Sequence, residues 1–168
     1  MEQSKIDNYV SRRGAAAYKS DYEQKLHRKL SDRLERAIFT RMFAKVGPSA
    51  TLLDLPCGAG RLFDLFSQQA ERVIEADFSP SMLQLNAADH ARAALAYVRC
   101  SGLQIPLADR SVDTVVSVRL NHHLSRDSDR EQHVREVMRV AGKAVILTYF
   151  SHYSLKNWIR RLRKPFNK

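Results

Sequence analysis

The segment Thr51–Leu62, TLLDLPCGAGRL, restricts the fold more than any other part of the chain. An apolar run of Leu52, Leu53 and Leu55 ends in a turn carrying Gly58 and Gly60, and Arg61 opens a stretch with helical periodicity. That order is a strand, a tight glycine turn and a helix start. Without a β-carbon, Gly58 and Gly60 let the backbone take positive φ and approach a ligand closely, while the free N–H groups of the following helical turn favour anionic groups. Taken alone, such a turn is also compatible with an ordinary strand-to-helix loop.

The acids around it favour a nucleotide-like ligand. Asp54 lies on the strand just before the turn, and a second strand, Arg72 to Ala76, ends in Asp77. An acid at the tip of the neighbouring strand stands where a ribose diol needs its two hydrogen bonds accepted.

The rest of the chain alternates strands and helices. From Ser20 onward, Leu26, Leu30, Leu34, Ile38 and Met42 recur every four residues, which predicts a helix with that stripe on the core. Asp32 followed by Glu35 resembles a capping box, predicting two helices broken near Ser31, and Gly47-Pro48 stops the run. Expected next are a helix from Arg61 to Ala70, a helix capped by Ser79-Pro80 and running to about Ala94, and a third strand from Leu95 to Cys100. A fourth strand from Val112 to Val118, a helix from Asp127 to Val140, a fifth strand from Lys143 to Phe150 and a basic helix from Ser151 to Lys164 complete the order. Such alternation implies an α/β fold, a doubly wound parallel sheet of five strands with helices on both faces. In such sheets the ligand sits at the carboxyl ends of the strands where strand order reverses, here at strands one and four.

Five ordered motifs resemble class I S-adenosylmethionine (SAM) dependent methyltransferases. Asp54-Leu55-Pro56-Cys57-Gly58-Ala59-Gly60 is similar to their first motif, and Glu75-Ala76-Asp77-Phe78-Ser79-Pro80-Ser81-Met82-Leu83 to the second-strand motif. Residues 105–113, IPLADRSVD, resemble a signature of ubiquinone-, menaquinone- and biotin-pathway methyltransferases. Leu120-Asn121-His122-His123-Leu124 resembles the histidine-bearing segment after their fourth strand, and Glu136–Val140 the helix before their fifth. The resemblance implies a Rossmann-like domain over residues 48–150 with SAM as cofactor, preceded by an arm and helices (1–47) and followed by a basic amphipathic helix (151–168). It implies cofactor contacts from Asp54, Pro56, Cys57, Gly58, Gly60, Asp77, Phe78, Met82, Ser101, Gly102, Leu103 and Arg119. His122 and His123, at the mouth of strand four, are the candidates for a catalytic base, since an unperturbed imidazole titrates near 6.5. Either can instead hydrogen-bond the loop backbone, and Arg119 can bind the SAM carboxylate or pair with an acid elsewhere.

Three departures from the family pattern stand out. Pro56 replaces the first glycine and removes an N–H donor, and Ser101 stands where an acid usually accepts from the adenine amino group. Two further strands follow the fifth in the family, so the resemblance implies a sheet shortened at the C-terminus, with the expectation that the chain is part of a longer protein or that a second copy or the basic tail covers the edge of strand five.

Composition narrows the setting. The chain of 168 residues is 44% hydrophobic, enough for one domain with a real core. No apolar run nears the roughly 18 residues that span a bilayer, and the polar start lacks a signal-peptide apolar region, so a cytoplasmic protein is expected. Cys57 and Cys100 suit reduced thiols better than a disulfide or zinc site, and Cys57 lies in the wrong motif for a nucleophilic cysteine. The net charge of +10 is uneven: residues 1–50 hold 11 Lys/Arg against 6 Asp/Glu, 51–150 hold 11 against 12, and 151–168 hold 6 against none. Basic ends suit RNA or an anionic membrane surface, or solubility alone. In the last segment Leu155, Trp158, Ile159, Leu162 and Phe166 share one helical face, a pattern that suits packing onto the sheet, as the resemblance implies, and is shared by interfacial helices.

Three functions therefore compete: a SAM-dependent methyltransferase acting on a small-molecule or lipid- or saccharide-type acceptor, an RNA methyltransferase, and a truncated non-catalytic SAM-binding module. The second lacks a separate RNA-reading module or aromatic–basic interleaving.

Overall fold

The computed structural model describes residues 26–149 and Gly14. The expected amino-terminal arm with Tyr18 and Lys19 and the basic carboxyl-terminal helix lie outside the described residues. In chain order the elements are α1 (Leu26–Val46), β1 (Ser49–Asp54), α2 (Phe63–Phe66), β2 (Ala70–Asp77), α3 (Pro80–Asp89), β3 (Ala96–Arg99), β4 (Val112–Val118), a 3-10 turn (Asn121–His123), α4 (Asp127–Val140) and β5 (Ala141–Thr148). The strands form one parallel sheet in the order β3-β2-β1-β4-β5. Strand order reverses between β1 and β4, as the alternation implied.

The central strands are apolar on both faces because both faces are covered. Successive side chains of a strand point to opposite sides, so Leu52, Val73 and Val116 enter one core with Phe39, Phe43, Phe63 and Phe66, while Leu53, Ile74 and Val115 enter a second with Val137 and Val140. α1 and α2 thus cover one face and α4 the other.

α1 departs from expectation in two ways. It is one continuous helix of 21 residues through Ser31, and its Leu30, Leu34, Ile38 and Met42 stripe faces outward, 60%, 60%, 51% and 37% exposed. The competing face wins because it carries two rings and two carboxylates with better partners. Phe39 and Phe43 meet Phe66 edge-on at 5.5 and 5.8 Å. Asp32 and Glu35 cap nothing; they pair with Arg36, Arg61 and Arg119.

Smaller differences have local causes. α2 is four residues long, and tighter turns carry the chain from Ser67 to β2, which begins two residues earlier than expected. α3 stops at Asp89 because Ala91 and Arg92 take left-handed φ of 48° and 57°. No helix among the described residues is long and apolar enough to cross a membrane.

Candidate functional site

The turn after β1 is stitched to both neighbouring strands. Leu55 N donates to Val116 O at 3.0 Å and Cys57 N to Ala76 O at 2.9 Å, and the Leu55–Pro56 peptide is cis. Gly58 has φ +57° and nothing within 4 Å of where a β-carbon would stand, so the turn opens onto free space at that point. Gly60 has φ +78° for a different reason: a β-carbon there would overlap Asn86 Oδ1 and come within 2.8 Å of His90 Cδ2. Gly58 thus faces the crevice while α3 braces Gly60 from behind, with His90 Nε2 also 3.0 Å from Gly60 O.

Asp77 closes the turn from the tip of β2. Its Oδ2 accepts from Gly58 N at 2.9 Å and its Oδ1 from Ser79 N at 2.8 Å. Ser79 in turn caps α3 by accepting from Met82 N. Each carboxylate oxygen has two lone pairs, so acceptor capacity remains for a ligand diol. Burial pushes the Asp77 carboxyl up from its ordinary value, and the backbone donors of Ser79, Gly58 and Phe78 pull it back. Phe78 is 53% exposed, with the Arg99 guanidinium 5.9 Å from its ring centre, whereas Met82 is buried against Ala59 of the turn.

Two further acids lie beneath the turn. Asp54 and Glu75 are Cα partners on β1 and β2, and both are fully or nearly fully buried. Asn86 Nδ2 donates to Glu75 Oε2 at 2.5 Å, while Asp54 Oδ1 has no hydrogen-bond partner among the described residues. Burial pushes Glu75 up to about 7, against the pull of Asn86, and burial with the Glu75 charge raises Asp54 well above the carboxylate range. The Cys57 thiol is raised well above its usual value by burial and these acids, and Cys100 to about 11. Neither thiol is activated as a nucleophile. Glu75 and Asn86 were not expected as site residues; the signal available was an acid inside the apolar run Val73-Ile74-Glu75-Ala76.

The loop after β3 is held by α4. His133 is completely buried, with Nδ1 2.8 Å from Gly102 O and Nε2 2.9 Å from Ser117 Oγ. A carbonyl only accepts, so Nδ1 carries the proton and the Ser117 hydroxyl donates to Nε2. Burial lowers the His133 pKa, which keeps the ring neutral. A β-carbon on Gly102 would overlap Leu120 and come within 3.1 Å of His133 Nδ1. Ser101 Oγ accepts from Leu103 N at 3.1 Å, leaving one lone pair for a ligand amino group. Arg139 and Glu136 pin residues 105–110 through Ile105, Leu107 and Asp109.

At the tip of β4, Arg119 has φ +61° and its guanidinium meets both oxygens of Glu35 at 2.9 Å, so the structure places it on the α1 acid. The same carboxylate takes Arg61 Nη2 at 2.6 Å. His122 and His123 lie in the 3-10 turn that follows, with His123 N donating to Leu120 O at 2.8 Å.

Acids at and beneath an open glycine turn, with protons that a nearby positive charge would draw off, suit a cationic ligand bearing a diol. The residues present therefore fit SAM, whose sulfonium and ammonium are positive. The sequence comparison agrees, for a family model described as a methyltransferase domain matches residues 53–147, more than half of the chain. The chain belongs to the methyltransferase domain family. An uncharacterized methyltransferase of Mycobacterium ulcerans is 31% identical over 96 residues, spanning 57% of this chain and 38% of that protein. The demethylmenaquinone methyltransferase of Thermobifida fusca is 29% identical over 116 residues, 66% of this chain and 48% of that one. The chain thus spans less than half the length of either curated relative. Among solved structures, a candidate S-adenosyl-L-methionine-dependent methyltransferase from Methanococcus maripaludis superposes with a TM-score of 0.65 at 21% identity, covering 94% of this chain and 73% of that one. The N-methyltransferase NodS of Bradyrhizobium japonicum, in complex with S-adenosyl-L-homocysteine, gives 0.61 at 14% identity over 71% and 59%. These likenesses establish the methyltransferase fold.

Proposed function

We propose that this chain binds SAM at the β1–β4 switch point and transfers its methyl group to a small-molecule or lipid- or saccharide-type acceptor. The observation that carries the reading is the Asp77 carboxylate, buried beside the open Gly58 turn and flanked by Asp54 and Glu75. In this reading Asp77 takes the ribose hydroxyls, Phe78 lies along the adenine, and Ser101 with the Gly102 and Leu103 backbone meets its edge. The Gly58–Gly60 turn lets the methionine part approach. SAM supplies an activated methyl on a sulfonium, so the protein's share is to hold the acceptor in line, exclude water and take a proton where the nucleophile carries one. His122 and His123 are the candidates for that last task.

Calorimetric titration with SAM tests the reading. Tight binding is expected in the parent, and Asp77→Ala is expected to weaken it roughly tenfold to a hundredfold, the loss of a buried diol's partners. Equal binding by parent and variant would remove this pocket assignment. Incorporation of labelled methyl groups into small-molecule, lipid and RNA fractions then identifies the acceptor class.

A further inference from the structure

The outward face of α1 has a composition that nothing in the methyl-transfer site requires. Its apolar members Leu30, Leu34, Ile38 and Met42 form a stripe that spans about 18 Å at the 1.5 Å rise of a helix and is 60%, 60%, 51% and 37% exposed. Arg33, Arg41 and Lys45 are exposed along the same side, and Ala37 lies between them. At 100° per residue Arg41 and Lys45 fall within the stripe and Arg33 about 60° beyond its Leu30 edge.

The acids of α1 are absent from that face. Asp32 and Glu35 are the acidic residues of Leu26–Val46, and both are turned toward the body of the protein. Asp32 pairs with Arg36 and Arg61, and Glu35 with Arg61 and Arg119. The helix has therefore sorted its acids inward against arginines, while Arg33, Arg41 and Lys45 stand outward beside bare aliphatic side chains.

We infer that this face is an interfacial docking surface for an anionic lipid bilayer, with Leu30, Leu34, Ile38 and Met42 entering the headgroup–acyl boundary and Arg33, Arg41 and Lys45 on the lipid phosphates. An aliphatic stripe edged by cations is the pattern that binds through buried apolar area and attraction to anionic lipid together. The long stems of Arg41 and Lys45 can lie along the apolar surface while their charges reach the headgroups. A second copy of the chain is the poorer occupant, because two such faces brought together set three cations against three. RNA is poorer too: it would use the cations, but the stripe is aliphatic and offers no aromatic ring on which bases stack. The inference is independent of the methyl-transfer reading, since its test measures attachment and not turnover.

The test is co-flotation of the full chain with vesicles of phosphatidylcholine alone and of phosphatidylcholine with one-third phosphatidylglycerol, at low and physiological salt. Binding is expected on the phosphatidylglycerol vesicles only. The pair Leu34→Ser with Ile38→Ser, both at exposed positions, is expected to reduce binding at least roughly tenfold by removing apolar area from the interface. Arg33→Glu with Arg41→Glu is expected to abolish it at physiological salt. Thermal melts identify any variant that has lost its fold, and SAM titration shows that the site is intact. Loss with the charge pair but not with the serine pair would mean a purely electrostatic, RNA-like surface and overturn the inference. So would absence of vesicle binding by the parent, or a drop in melting temperature with the serine pair that shows the stripe to be covered by the protein itself.

Discussion

Asp54 and Glu75 stand side by side as register partners on β1 and β2, two buried carboxyls directly beneath the glycine turn. Two adjacent acids in a dry environment cannot both ionise cheaply. The crevice therefore keeps protons that an exposed pair would lose, and a cationic ligand is what would release them.

That pairing sets a pH dependence. Glu75 is raised from 4.5 to about 7 in the folded chain, so it binds a proton more tightly folded than unfolded. Its contribution to stability is full below pH 4.5 and is lost as pH rises through about 7, on the order of 3 kcal/mol at 1.36 kcal/mol per unit. Buried His133 has the opposite sign. Its lowered pKa means that stability is present above 6.5 and falls away as acid forces the ring to charge. Urea unfolding between pH 5 and 9 should show Glu75→Gln flattening the alkaline decline without touching the acid limb. An unchanged alkaline limb would mean that Glu75 is not the group responsible.

The same proton predicts linkage to the ligand. A cation beside Asp54 and Glu75 favours their ionised forms, so SAM affinity should rise as pH increases through about 7 and binding should expel protons. Calorimetry in buffers of different ionisation enthalpy measures that release directly. Zero net proton exchange at pH 6.5 would place the positive charge away from these acids.

Glu35 ties α1 to two arginines at the mouth of the site, Arg61 after the turn and Arg119 at the tip of β4. Glu35→Gln removes the carboxylate that Arg119 meets with both oxygens and one of the two acids on Arg61, which keeps Asp32, and should cost about 1–3 kcal/mol. Denaturant midpoints of parent and variant decide it. A midpoint shift below what 0.5 kcal/mol would produce would show the pairing to be a surface contact of little consequence.

Much of this was legible in the sequence, and the exceptions share a cause. β4 and α4 fall on the expected residues because an apolar run and a 3.6-residue period had no local competitor there. The Leu30 stripe misled because Phe39 and Phe43 follow the same four-residue spacing on the other side of α1, and spacing alone does not say which stripe meets the sheet. Asp32 and Glu35 looked like a cap because their partners, Arg61 and Arg119, lie 26 to 84 residues away. His133 shares the inward face of α4 with Val137 and Val140, a placement the period does give. What it holds, the Gly102 carbonyl, depends on the fold.

His122 and His123, in the 3-10 turn after β4, are expected to affect turnover more than SAM affinity if that turn meets the acceptor as proposed. With both changed to Ala, a kcat loss of roughly a hundredfold or more with SAM affinity unchanged is expected if one is the base. An unchanged rate would leave them as loop scaffolding.

Among the described residues β5 has a sheet neighbour on one side only, β4. Ala144, Val145, Leu147 and Thr148 are half-buried and Ile146 is buried, with Ile146 in one core and Val145 and Leu147 against the other. A parallel edge strand directs alternate N–H groups outward, and unpaired ones invite another strand. We expect the outward amides of β5 to be covered, by a second copy or by another part of the protein. Hydrogen exchange read residue by residue is the test: outward amides should exchange nearly as slowly as those bonded to β4. Protection that strengthens with protein concentration, in step with a doubling of mass in light scattering, assigns the cover to a second copy, and protection independent of concentration assigns it to the chain itself. Fast exchange at every outward β5 amide in a monomeric, cooperatively folding chain would show that the edge stands open.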